Sequence, residues 1–270
     1  MANPDPYPLT RGSQQLTRVN LLQFLWRDTN GYLLHPTVVA DGKALRIADV
    51  ATASGLWLCE VERESPGLHE LRGFDISSAS FINSAHLPGD MRLEVLDAKR
   101  PPPPDLVGTF DVVHVRLVQS VIFDDDPGCI LSHCFELLKP GGYLQWEEFD
   151  PMAVILHRHD DGAENLQKLT DMLQKRAPAS WIVNLPQHAD KTGFRVAAVE
   201  RRPEPPFHHA LMTYLFCLVF EEYATTYLAA EGPPGAADDL LKLTRDCFRE
   251  SQQGSYTEYM FQTVLARKPE

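Results

Sequence analysis

The chain has no Cys-x-x-Cys pair, no long run of basic residues and no uninterrupted stretch of eighteen apolar residues. Each absence removes a class of function. The five cysteines, Cys59, Cys129, Cys134, Cys217 and Cys247, are scattered, and none has a histidine at zinc-finger spacing. Free thiols in a reducing compartment and no metal site are therefore expected. A formal net charge of -12 with dispersed Lys and Arg lacks the footprint of a phosphate-backbone partner, so no nucleic acid is expected. The missing apolar run argues against a membrane-spanning helix, and the opening residues MANPDPYPLTRGS carry no apolar leader core. The expectation is a cytoplasmic protein with no membrane partner.

What the chain does have is 270 residues at 44% hydrophobic content, enough for one sizeable core, or one domain with a lid. The rest is arranged around Leu45 to Leu58, LRIADVATASGLWL. An apolar, β-favouring run, Ile47 to Val50, carries Asp49 and stops in four small residues, Ala51 to Ser54. Gly55 then opens a helix through Trp57, Leu58 and Val61. Small residues in a strand-to-helix turn let backbone N–H groups approach a ligand, and the helix N-terminus adds positive partial charge there. The turn is a candidate cradle for a nucleoside-type cofactor.

Residues Met1 to Gly12 read as a loose arm, and Gln15 to Leu34 as an amphipathic helix with Leu16, Val19, Leu22, Phe24, Leu25 and Trp26 on its apolar face. This helix, with the arm in a unit spanning 1–44, is expected to cover the site, with Tyr32 and His35 near its mouth. Both also fit cap and packing roles. Short strands are expected at Leu71 to Ile76, Met91 to Leu96, Phe110 to Val115, Tyr143 to Trp146, Phe194 to Val199 and Tyr259 to Ala266. Helices are expected at Cys129 to Leu138, Asp161 to Arg176 and Ala236 to Glu250, and a loop at Trp181 to Pro186. The long aromatic segment Phe207 to Ala230 does not suit a sheet crossover. It reads as a lid or pocket wall, about 207–232, or as a homodimer interface.

Four strands end in polar residues: Asp75, Asp97, His114 with Arg116, and the Glu147 and Glu148 pair. In a doubly wound sheet those ends lie along one ligand-binding edge, and Asp75 falls about twenty residues after the turn, where such folds place a carboxylate on ribose hydroxyls. Since neighbouring strand residues face opposite sides, at most one of Glu147 and Glu148 points into the site.

These stretches resemble the class I S-adenosylmethionine-dependent methyltransferases, and within them a fungal secondary-metabolism group. The similar segments are YLLHP at Tyr32, RIADVATASGLW at Arg46, GFDIS at Gly73, FDVVHVRL at Phe110, LLKPGGYLQWEEFD at Leu137 and WIVNLP at Trp181. The resemblance implies an α/β fold, a Rossmann-like doubly wound sheet of seven strands with the last antiparallel, and S-adenosyl-L-methionine as cofactor. It implies that Asp49 and the turn Ala51, Thr52, Ala53 and Gly55 wrap the methionine part. Asp75 would take the ribose hydroxyls, Ile76 lie beneath the adenine, Asp97 and Ala98 face its amino group, and His114 lie near the sulfonium. One departure stands out: the family's usual Gly-x-Gly is Ala51-Thr52-Ala53 here, so a left-handed Ala53 would cost about 1 kcal/mol.

His114, Glu148 and His209 are the candidate general bases, and Tyr32, His35, Trp146, His208 and Tyr214 the candidate substrate-pocket residues. His208 and His209 equally suit helix capping. Methyl transfer to an apolar small molecule through O, N or C is the first expectation. A non-methylating cyclase or pericyclase, and a methyltransferase-like regulatory binding protein, are the alternatives.

Overall fold

The computed structural model describes residue 9 and residues 11–39, 41–122, 124–159, 162–176 and 179–270. Most of the expected N-terminal arm, and Asp161 of the expected fourth helix, lie outside them. In chain order the elements are α1 (Ser13–Asn30), α2 (Pro36–Val39), β1 (Arg46–Val50), α3 (Leu56–Glu64), β2 (Glu70–Asp75), β3 (Arg92–Val95), β4 (Phe110–Arg116), α4 (Gly128–Leu137) and β5 (Leu138–His157). There follow α5 (Glu164–Arg176), α6 (Ser180–Val183), α7 (Leu185–Thr192), β6 (Arg195–Pro203), α8 (His209–Tyr223), α9 (Ala229–Glu231), α10 (Ala236–Gln252) and β7 (Tyr256–Arg267).

The seven strands form one sheet in the order β3-β2-β1-β4-β5-β7-β6. Strands β1 to β5 pair in parallel, while β7 runs antiparallel to both β5 and β6. The order reverses between β1 and β4, which makes the carboxyl ends of these two strands the switch point where α/β sheets bind ligands. Both sheet faces are covered, so the inner strands are nearly all apolar. Ile47, Leu71 and Val112 join Leu33, Trp57 and Leu58 on one face; Ala48, Val50, Val113 and Val115 join Ile130, Leu137 and Trp181 on the other.

Four expectations are corrected. Helix α1 ends at Asn30 rather than Leu34, because Gly31 takes the left-handed C-cap (φ 78°) and its N–H closes on Arg27. On α1, Phe24 faces solvent at 47% exposure, and the buried positions include Gln15, Arg18 and Gln23. The segment Trp181 to Pro186 is not a loop: α6 and α7 cross there, and Trp181 is buried edge-on against Trp146, ring centroids 5.8 Å apart. Strand β5 continues far beyond Trp146, to His157, because β7 keeps pairing with it past an irregularity between Asp150 and Ile155.

That overhang changes what the aromatic insertion does. Helix α8 lays Met212, Leu215 and Phe216 against Phe149, Tyr259 and Phe261 of the extended strands and against Leu22, Leu25 and Trp26 of α1. Its other buried side, Cys217, Phe220 and Tyr223, packs with Leu166 and Leu169 of α5 and Leu240 and Cys247 of α10. Most of its apolar surface is thus used inside the fold.

Candidate functional site

At the carboxyl end of β1 the chain turns through Ala51 (φ 60°), Ala53 (φ 51°) and Gly55 (φ 84°), all in left-handed backbone. The turn is held from below. Thr52 donates its hydroxyl to Asp49 (Oγ1 to Oδ2, 2.6 Å) and its N–H to the Phe74 carbonyl (2.9 Å), while the Ala53 N–H donates to Asp75 Oδ2 (3.0 Å). A methyl on Gly55 would meet Leu93 at 2.8 Å, and one on Gly73 would meet Leu93 at 2.5 Å and Thr52 Oγ1 at 2.9 Å. Strands β2 and β3 therefore close directly beneath the turn. From above, Ser54 donates to Asn20 of α1 (2.7 Å).

Two alanines in this conformation each cost about 1 kcal/mol relative to glycine there, less the chain entropy a glycine would lose. Ala53→Gly is expected to raise the melting temperature by about 1–3 °C. An unchanged or lower melting temperature would mean that the alanine methyl packs better than it strains.

Next to this turn a polar row runs across one face of the sheet. Asp49 is paired in register with His114, His114 with Gln145, and Arg116 with Glu147. Residues two apart share a face, so His114, Arg116, Gln145 and Glu147 all stand on the side of α1. His114 Nδ1 lies 2.7 Å from Asp49 Oδ1 and Nε2 3.3 Å from Glu147 Oε2, and Trp57 stacks flat on the imidazole, centroids 3.8 Å apart at 5°. Glu147 also accepts from Asn30 (3.1 Å), Gln145 (2.9 Å) and Arg116 Nε (2.7 Å). Burial works against its charge, but the Arg116 guanidinium, then the His114 contact, outweigh it and hold the carboxyl down at about 2. Arg116 in turn donates to Gln23 of α1, whose amide donates to Glu60 of α3 (3.3 Å).

Glu148 points to the opposite face of the sheet. It accepts from the Val118 N–H (2.8 Å) and from Trp146 Nε1 (3.1 Å), its Oε2 is buried without a hydrogen-bond partner among the described residues, and burial pushes its carboxyl up to about 8. A group whose folded value is raised supports folding below its ordinary value of 4.5, and that support drains away as the pH climbs to about 8. Glu148→Gln is therefore expected to gain stability on the wild type between pH 5 and 8, by a few kcal/mol at most, and to hold the gain above. A melting-temperature series across this range reads it, and a difference independent of pH would show that Glu148 does not titrate there.

Above turn and row lies a cavity of ≈ 310 Å³. Asp49, Ala51, Thr52, Ala53, Asp75, Ile76, Asp97, Ala98 and His114, singled out in the sequence, all line it. Asp75 accepts from Ser77 N–H (3.1 Å) and stands 3.6 Å from Arg11; Asp97 accepts from Lys99 N–H (2.9 Å). The opposite wall is apolar: Leu22, Phe149, Leu173, Met212, Leu215, Phe216 and Val219.

Eight of the sequence candidates stand elsewhere. Gly55 is behind the turn as the cap of α3. Tyr32 donates to Glu200 of β6 (2.7 Å), and burial raises its hydroxyl. His35 gives its N–H to Gln145 (2.8 Å) and its ring faces Glu200 (3.4 Å). The YLLHP segment is thus the brace behind the polar row. Trp146, on the far face, packs on Trp181. His208 faces Asp28 (3.1 Å), and Tyr214 packs on Phe248 (4.8 Å). His209 stacks on Tyr256 (4.5 Å), beside the β5–β7 overhang. Glu148, a candidate base in the sequence, is likewise absent from the cavity wall, and of the pair it is Glu147 that stands in the polar row beside His114. Among the described residues no group of three or more His, Cys, Asp or Glu could hold a metal ion, and no helix is long and apolar enough to cross a membrane.

No family model matches the chain. In structure it aligns with a chain of the complex between the Haloferax volcanii Trm112 methyltransferase activator and its methyltransferase, over 97% of this chain and 100% of that one, with a TM-score of 0.52 at 13% identity. The MccD protein aligns with a TM-score of 0.50 at 14% identity, over 86% and 93%. The fold is that of a class I methyltransferase. In sequence the chain resembles fungal methyltransferases. It is 30% identical over 152 residues to the Penicillium methyltransferase grgD, 53% of this chain and 52% of that one. To the N-methyltransferase verN of Clonostachys rogersoniana it is 29% identical over 142 residues, 53% and 50%. To the N-methyltransferase gliN of Aspergillus fumigatus it is 30% identical over 145 residues, 53% and 50%. The chain spans about half the length of these curated relatives.

Several wall residues of this methyltransferase fold escaped the sequence reading: Gln15, Arg18, Asn20 and Gln23 of α1, Trp57, Leu117 and Leu173. For α1 a signal existed. Gln15, Arg18 and Gln23 recur with Leu22 and Trp26 at helical spacing, so the inward stripe was polar as well as apolar. For Leu117, left-handed at φ 56°, and for Leu173 no local pattern marked them.

Proposed function

We propose that the chain is an S-adenosylmethionine-dependent methyltransferase whose acceptor is an apolar small molecule methylated on nitrogen. The observation that carries the reading is one cavity with two unlike ends: the Asp49 turn, Asp75 and Asp97 at the switch point, and a wall of aliphatic and aromatic side chains facing them. The residues present fit the cofactor. Asp75 and Asp97 offer carboxylates for a ribose diol and an adenine amino group, Ile76 and Ala98 an apolar bed, and Trp57 Nε1 is buried in the wall with no partner of its own among the described residues. The turn 51–55 would hold the amino-acid part. The cofactor, when bound, supplies an activated methyl group and its own leaving group, so the protein's work is alignment and exclusion of water.

The side chains around the cavity support nitrogen. A phenol or alcohol needs a base to take its proton, whereas a neutral amine carries a free lone pair. His114 has both ring nitrogens against carboxylates, Asp49 is bonded to Thr52 and His114, and Glu147 is held low by Arg116. Two relatives are named N-methyltransferases. Calorimetric titration with S-adenosylmethionine and its demethylated product tests the cofactor, and mass spectrometry of amine-bearing apolar acceptors tests the transfer. Micromolar binding of both and a gain of one methyl are expected. No binding by folded protein, or conversion without methyl gain, would sink the reading. Self-association through the insertion would have Phe207, Leu211 and Tyr227 to use, and gel filtration at high concentration reads it.

A further inference from the structure

Three buried polar atoms of the cavity wall have no hydrogen-bond partner among the described residues: Gln15 Oε1, Gln119 Oε1 and Trp57 Nε1. Gln15 is 3% exposed, its Oε1 has no hydrogen-bond partner among the described residues, and it lines the cavity. A buried amide oxygen left unpaired is costly, and native proteins leave few of them. The neighbouring polar groups on α1 are all engaged. Arg18 makes a bidentate pair with Glu222 near the end of α8 (3.0 and 3.1 Å), Asn20 accepts from Ser54, and Gln23 bridges Arg116 and Glu60. Gln15 alone of the four is not.

Helix geometry says which end of the cavity it serves. At about 100° per residue, Asn20, which reaches the cofactor turn, lies about 140° around α1 from Gln15. Leu22 lies within about 20° and Arg18 about 60° from it on the same side. Leu22 packs with Met212, Leu215 and Phe216, and Arg18 is tied to α8. Gln15 therefore lies on the side of α1 that carries Leu22 and Arg18, away from Asn20. The amide oxygens of Gln15 and Gln119 are the buried oxygens of the cavity wall that have no hydrogen-bond partner among the described residues, and Gln15 is the one carried by α1.

We propose that Gln15 is the specificity-determining residue of the acceptor end, its Oε1 accepting a hydrogen bond from an N–H or O–H carried by an otherwise apolar, ring-bearing acceptor. This rests on the methyltransferase reading for the word acceptor, but the recognition itself is a property of the cavity. A buried, unpaired acceptor favours the ligand that supplies a donor over an isostere that cannot, since the isostere leaves the oxygen unpaired.

Indole and 1-benzothiophene have matching shape and differ in the N–H donor, so their binding can be compared by NMR titration, with and without S-adenosylhomocysteine. The wild type is expected to prefer indole by roughly tenfold. In Gln15→Leu the preference should vanish through weaker indole binding, with 1-benzothiophene held as well or better, and Gln15→Glu should restore it. A merely structural Gln15 would lower both probes together. Equal affinities in the wild type, no uptake of indole, or a preference that survives Gln15→Leu would overturn the proposal. Failure of S-adenosylhomocysteine to bind would overturn the methyltransferase reading instead, because the indole preference is also read on the protein alone.

Discussion

Asp75→Ala is expected to weaken S-adenosylmethionine binding by a hundredfold or more. A carboxylate that accepts two ribose hydroxyls makes two charge-assisted hydrogen bonds, each worth about 1.5–3 kcal/mol, or roughly ten- to hundredfold in affinity. The same carboxylate accepts the N–H groups of Ala53 and Ser77, so its loss also slackens the strained turn that faces the cofactor. Asp75→Asn keeps the shape and one acceptor oxygen and should fall between. Calorimetric titration reads affinity, and a thermal melt separates lost binding from lost folding. Wild-type affinity in a folded Asp75→Ala protein would show that the nucleoside is held elsewhere.

The second large effect concerns stability. Glu147 is fully buried and receives Asn30, Gln145, Arg116 and the His114 contact. Removing it strips the half-buried Arg116 and the buried His114, Asn30 and Gln145 of their shared carboxylate, and breaking such a pair costs about 3–5 kcal/mol, a fall of roughly 6–15 °C in melting temperature for a chain of this size. The pH dependence has a definite sign. The folded value of about 2 lies below the ordinary 4.5, so the stabilisation is complete above 4.5 and is lost as the pH falls toward 2, about 3 kcal/mol in all. Urea unfolding at pH 7 and pH 3 should show about 2 kcal/mol of this loss in the wild type and not in Glu147→Ala. A wild type equally stable at both would refute the assignment.

The fold was legible because apolar runs of strand length alternate with helical spacings, and because four strands end in polar residues. The turn was legible through its small residues, though only the backbone angles reveal that both alanines are left-handed. The far wall was not. It is made where β5 and β7 overrun the sheet, and the pairing of Ile155 with Glu258 or His157 with Tyr256 is a long-range event that no local window contains. The same blindness misplaced the aromatic and histidine candidates. Tyr32, His35, His208 and Tyr214 stand beside the right elements, but their partners Glu200, Asp28 and Phe248 come from distant parts of the chain. Glu147 and Glu148 were correctly separated by the strand period, yet which one faced α1 depended on the register with Arg116.

The twenty-residue strand β5 carries a mechanical consequence. One unbroken backbone runs from Gln145 and Glu147 under the turn to Phe149 in the opposite wall, and β7 is laddered to it along the way. Floor and far wall are thus a single girder that cannot open without tearing main-chain hydrogen bonds. Helix α1 is fastened differently, by side chains: Arg18 to Glu222, Ser54 to Asn20, Gln23 to Glu60 and Asn30 to Glu147. Such fastenings release one at a time. Side-chain ties and the buried Leu22, Leu25 and Trp26, with no main-chain ladder among them, set how firmly α1 closes the cavity.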